Sequence, residues 1–125
     1  LHTIGADKTI DRIIDVFPPD QQQQVRIQLA AVLECVVSQQ LLKRSDGNGR
    51  VAALEVLFAN NAVRNLIREG KTFQIASIIQ TSKRLGMQMM DDALYDLYMQ
   101  RMIDGETAIS YAQDPVAMNK KVNFM

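Results

Sequence analysis

Ala62-Val63-Arg64-Asn65-Leu66-Ile67-Arg68-Glu69 has the spacing of a short helix, and Gly70 follows it directly. Asn60 and Asn61 precede it and can accept hydrogen bonds from the free amides of a first helical turn. Gly70 supplies the stop, because glycine tolerates the left-handed backbone that ends many helices. Val63, Leu66 and Ile67 recur at i, i+3 and i+4 and are expected to face a core. Asn61, Arg64, Asn65 and Arg68 form the opposite, polar stripe. Arg64 and Arg68 stand one turn apart, a like-charge pair that costs a helix about 0.2–0.5 kcal/mol. Glu69 neighbours Asn65 and not both arginines, so the pair is expected to meet a partner from elsewhere. Two arginines on a solvated face is the plainer alternative.

Upstream, the pattern of Ile10, Ile13, Ile14 and Phe17 predicts a helix over Lys8–Val16, ended by Pro18-Pro19. Asp20 is the expected N-cap of a second helix running to about Ser38, with Val25, Leu29, Val32 or Leu33, and Val36 inward. Gln40–Arg44 and Arg50–Ala59 read as two strands around Ser45-Asp46-Gly47-Asn48-Gly49, whose residue types suit a hairpin turn. In the second strand Ala52, Leu54, Val56 and Phe58 make the more apolar face, against Val51, Ala53, Glu55 and Leu57. Downstream, helices are expected over Thr72–Arg84, Gln88–Met102 and Glu106–Gln113, with Ala117–Met125 as a fraying tail. The fold class is mainly α with one β-hairpin.

Apolar residues make up 47% of the 125, enough for a folded core. Fourteen basic and fourteen acidic residues cancel, which gives no electrostatic footprint for nucleic acid or a membrane surface. One cysteine excludes an internal disulfide framework and a cysteine-cluster zinc site. Cys35 lies within the largely apolar Leu29–Val37 run and is expected to be a buried, inert thiol. No run approaches the roughly 18–20 apolar residues that span a bilayer, so direct membrane insertion is not expected. The chain opens Leu1-His2-Thr3 without an initiator Met and reads as a piece of a longer protein.

Few residues suggest chemistry by themselves. His2 is the single histidine and has no ligand-spaced partner. Gly47-Asn48-Gly49 is no phosphate loop, since GxxxxGK[ST] is absent from the sequence. Asp91-Asp92 suits the first turn of a helix, where acidic residues favour the dipole, better than a metal; none is expected.

Resemblance adds to this. The octet resembles the AIRNLIRE box of type IV pilus retraction ATPases, with Val63 in place of Ile. His2, Thr3, Ala6, Thr9 and Arg12, leading into Ile13-Ile14-Asp15-Val16-Phe17, resemble that family's His box. Gly49-Arg50-Val51-Ala52-Ala53, Ile79-Gln80-Thr81 and Leu85-Gly86-Met87-Gln88 with Asp91 are similar to further family segments. The likeness runs to about Ile103, and the tail after Asp104 falls outside it. Leu54 departs from the usual His of an AAHE motif, and Met89 from a usual Thr.

The resemblance implies the C-terminal part of a RecA-like P-loop ATPase domain plus following helices. Residues 1–59 would belong to the ATPase core and 60–125 to a helical region carrying the AVRNLIRE box. His2, with Thr3, would sense the terminal phosphate of ATP, and Thr9 and Arg12 would orient the following helix. Ala62, Val63, Arg64, Asn65, Leu66, Ile67, Arg68 and Glu69 would form a coupling surface. The family's Walker A lysine, Asp box and Walker B carboxylate lie upstream of its His box. ATP and Mg2+ are therefore implied for the whole protein, and this piece alone is expected to bind neither and to hydrolyse nothing. The implied setting is a homohexameric motor at the inner, cytoplasmic face of the cytoplasmic membrane. There it would drive pilus retraction and twitching against the inner-membrane platform proteins of the pilus. An accessory retraction paralogue and a non-catalytic helical interaction module are the alternatives.

Overall fold

A computed structural model describes residues 5–123, in which one antiparallel hairpin carries helices at both of its ends. Helix α1 (Ala6–Asp15) and α2 (Gln22–Val32) precede β1 (Cys35–Lys43) and β2 (Arg50–Phe58). Helices α3 (Asn61–Arg68) and α4 (Ile75–Thr81) follow, with short 3-10 turns at Thr72–Gln74 and Lys83–Leu85. Then come α5 (Met90–Met99), α6 (Gly105–Tyr111) and α7 (Pro115–Asn123). Mainly α with one hairpin is therefore the observed class.

The hairpin register pairs Cys35 with Phe58 at its open end and Lys43 with Arg50 beside the turn. Gly47 and Gly49 have φ of 77° and 91°, which only glycine adopts without strain, so the turn chemistry matches the expectation. Asp46 fixes the turn by accepting from the Asn48 amide at 2.9 Å and pairing with Arg44 at 3.0 Å. The hydrogen bond from Arg44 holds the Asp46 carboxyl below the usual carboxylate range. The turn is also tied to the end of α5, where the Ser45 hydroxyl donates to the Arg101 carbonyl at 2.7 Å.

Two apolar cores share the inner face of this hairpin. Ile10, Ile14, Ala30, Leu57, Val63, Ile67, Ile75 and Ile79 pack together around the open end. Leu42, Ala53, Met90, Leu94, Ile103, Ala108, Met118 and Val122 pack around the turn end. Helices α1–α4 thus belong to the first core and α5–α7 to the second.

Several expectations need correction. Helix α2 stops at Val32, not near Ser38, because Val36 and Val37 are β-branched and lengthen the ladder opposite Leu57 and Val56. Asp20 does not cap it: Gln21 is the N-cap, and no side chain bonds to the helix start. Cys35 is exposed at the beginning of β1, not buried, since its side chain shares the outer sheet face with Phe58. The more apolar face of β2 points outward, and the inward set is Val51, Ala53, Glu55 and Leu57. The 72–84 helix is broken into two 3-10 turns around α4, and α5 is confined to Met90–Met99 because Gln88 bridges to Val56 as a strand residue. Most of the expected fraying tail is α7, held by buried Met118 and Val122, which stand one helical turn apart.

Candidate functional site

Helix α3 forms as its sequence dictates. The Asn60 side chain accepts from the Val63 amide at 2.9 Å, and Val63 and Ile67 are fully buried, with Leu66 packed beside them. Asn61 is the first helical residue and caps nothing. The partner sought for Arg64 lies in α2. Its guanidinium donates to the Ala30 carbonyl at 2.5 Å and stands 3.9 Å from the Glu34 carboxylate. The last carbonyls of a helix lack intrahelical partners, so Arg64 caps α2 from another element. Arg68 donates to the Asn65 side chain on its own helix, and its carbonyl accepts from Gln23 of α2 at 3.1 Å. Arg64 is thus a brace between helices, and the exposed members of the stripe are Asn61 and Asn65.

His2 and Thr3 lie outside the described residues. Thr9 is half-buried in α1, and its hydroxyl donates to the Gly5 carbonyl at 2.9 Å. Arg12 is exposed on the last turn of α1. Asp11 accepts from the Thr72 hydroxyl at 2.6 Å and fastens α1 to the turn after α3. Thr9 and Arg12, the described members of the first set, therefore sit on a different helix of the first core from the Ala62–Glu69 box, and the Asp11–Thr72 contact links the two.

The residue that sequence reasoning passed over is Glu55. It is 2% exposed on the inward side of β2, and both of its oxygens are used. Oε2 accepts from the Ala6 amide at 2.6 Å, and Oε1 accepts from the Met90 amide at 3.1 Å. Its one legible signal was a carboxylate in register with Ala53 and Leu57, on the side that a buried strand reserves for apolar residues. Beside it Gly5 enters α1 at φ 100°, and a Cβ there would meet Asp7 Oδ1 at 2.9 Å. Only glycine fits this approach.

Comparison with known proteins follows the same lines. A twitching motility protein of Neisseria gonorrhoeae is 53% identical over 119 residues, which are 95% of this chain and 32% of that protein. The type IV pilus retraction ATPase PilT of Pseudomonas aeruginosa is 47% identical over 115 residues, 92% of this chain and 33% of its own length. The crystal structure of the pilus retraction motor PilT with bound ADP matches the whole chain with a TM-score of 0.82 at 45% identity, over 33% of that structure. Along nearly its whole length the chain is similar to one stretch of these PilT proteins. No family model matches it. It spans about a third of the length of the curated relatives it matches.

The cavity beside the start of α1 is about 30 Å³ and is lined by Asp7, Glu55 and Gln113 among apolar neighbours. Two carboxylates have the wrong sign for a polyphosphate, and that volume suits a water molecule and not a nucleotide. Thr9 is engaged with backbone, and Arg12 points from the end of the helix opposite to Gly5. Among the described residues no helix is long and apolar enough to cross a membrane.

Proposed function

We propose that this chain is the part of a type IV pilus retraction ATPase that converts nucleotide state into movement of its helical region. The observation that carries the reading is 53% identity to a twitching motility protein along 95% of the chain. In this reading the whole protein binds ATP with Mg2+, hydrolyses it, and assembles as a homohexamer. It works in the cytoplasm, at the inner face of the cytoplasmic membrane, against the platform proteins of the pilus. His2 and Thr3 sense the terminal phosphate just ahead of α1, and Thr9 and Arg12 set the course of that helix. Residues 1–59 belong to the RecA-like core, and 60–125 form the helical region whose Ala62–Glu69 box passes motion on. Support within the chain comes from the anchoring of α1 to the turn after α3 through Asp11 and Thr72. A displacement of α1 is thereby delivered to the neighbourhood of the box.

The test uses the full-length protein with His2→Ala. Turnover of ATP is expected to fall by up to about a hundredfold, the scale of one lost electrostatic contact in a transition state. ATP affinity is expected to stay near wild type, because the phosphate cradle lies elsewhere. In cells lacking the gene, the wild-type copy is expected to restore twitching and the variant is not. Wild-type turnover and twitching in the variant would make His2 a packing residue and remove the sensor from this reading.

A further inference from the structure

Four helices offer a clear comparison of how their first amides are satisfied. Helix α3 is capped by its own Asn60, and α6 by Asp104, which accepts from the Thr107 amide at 2.8 Å. Helices α1 and α5 have no such help: their N-caps are Gly5 and Met89, and neither provides a side-chain bond. Both instead share one remote carboxylate, Glu55, which lies 49 residues from Ala6 and 35 from Met90 in sequence. The partial positive charge of a helix start favours an anion, and two starts converge on this one. A buried carboxylate is tolerable only while its hydrogen bonds persist. If either helix withdrew, Glu55 would lose half of its compensation, so neither helix moves from β2 without cost to the site of the other.

Position makes this consequential. Glu55 stands between Ala53, in the core of α5–α7, and Leu57, in the core of α1–α4. We infer that Glu55 is a positioning residue that couples the start of α1 to the start of α5, so that the two cores respond together to nucleotide. The nucleotide half of this statement rests on the function proposed above. The coupling half rests on the two hydrogen bonds alone. Glu55→Gln keeps the size of the side chain, but its amide offers one acceptor oxygen and sets an N–H against the second helix start.

Amide hydrogen exchange on the full-length protein, with and without ADP, separates the two halves. Asp104→Ala serves as the control that removes an ordinary cap. Without nucleotide, Glu55→Gln is expected to speed exchange at the first turns of both α1 and α5 by roughly five- to tenfold, the scale of one net hydrogen bond. Asp104→Ala is expected to act on α6 only. With ADP, the wild type is expected to slow exchange in α1 and α5 together, and Glu55→Gln in α1 alone. Acceleration at one helix or neither without nucleotide overturns the coupling, as does ADP protection of α5 that survives Glu55→Gln. A wild type indifferent to ADP overturns the nucleotide half and, with it, the function proposed above. The nucleotide-free comparison then decides the brace by itself.

Discussion

Glu55→Ala is expected to destabilise the 125-residue chain by about 2–6 kcal/mol, since it strands two buried amides at about 1–3 kcal/mol each. Both acceptor oxygens disappear at once, and neither Gly5 nor Met89 can substitute as a local cap. A typical surface cap costs only about 1 kcal/mol when removed, so Asp104→Ala is the natural reference. Urea unfolding followed by circular dichroism measures both. A Glu55→Ala midpoint shifted no further than that of Asp104→Ala would show that water replaces the carboxylate freely, and Glu55 would not be the joint between the cores.

The second large effect lies in α3. Ile67→Ala is expected to cost about 2–5 kcal/mol, because the side chain is fully buried and its removal leaves a cavity in the first core. Leu66 is only partly buried, so Leu66→Ala is expected to cost less than its place in the apolar stripe suggests. The two arginines should differ as well. Arg64→Ala removes the donor that satisfies the Ala30 carbonyl and is expected to cost about 1–3 kcal/mol. Among the described residues the Arg68 side chain bonds only to Asn65 one turn away, and its loss is expected to stay within about 0.5 kcal/mol. The same unfolding experiment ranks all four. Equal, negligible costs for Arg64→Ala and Arg68→Ala would return both to a solvated face.

The contrast between these residues shows what the sequence could carry. Helix α3 was legible because its cap, apolar stripe and terminal glycine all lie within eleven residues, Asn60 to Gly70. The hairpin turn was legible for the same reason, since Asp46, Asn48 and the two glycines act on their own neighbourhood. The start of β1 was not, because Leu29–Val37 is apolar throughout most of its length and fits a buried helix as well as a strand. The choice is made by pairing with β2, more than a dozen residues away. The inward face of β2 was hidden by Glu55 itself, a charge whose partners come from distant helices. That the arginines need a partner was legible, but its identity was not, because the Ala30 carbonyl that receives Arg64 lies 34 residues upstream. The helix at the tail did leave a local trace, Pro115 at its first position with Met118 and Val122 one turn apart. The motifs read from the sequence stopped at about Ile103, although the similarity to the gonococcal protein, over 119 of the 125 residues, reaches into this segment.

The central claim is that this chain is a working part of a nucleotide-driven retraction motor, and not a motor by itself. ATP turnover and mass by light scattering, measured on the full-length gene product beside the 125-residue chain, test it most directly. The full-length protein is expected to hydrolyse ATP and to run as a hexamer, and the chain alone to do neither. Turnover by the isolated chain, or a full-length protein that neither hydrolyses ATP nor assembles, would contradict the account.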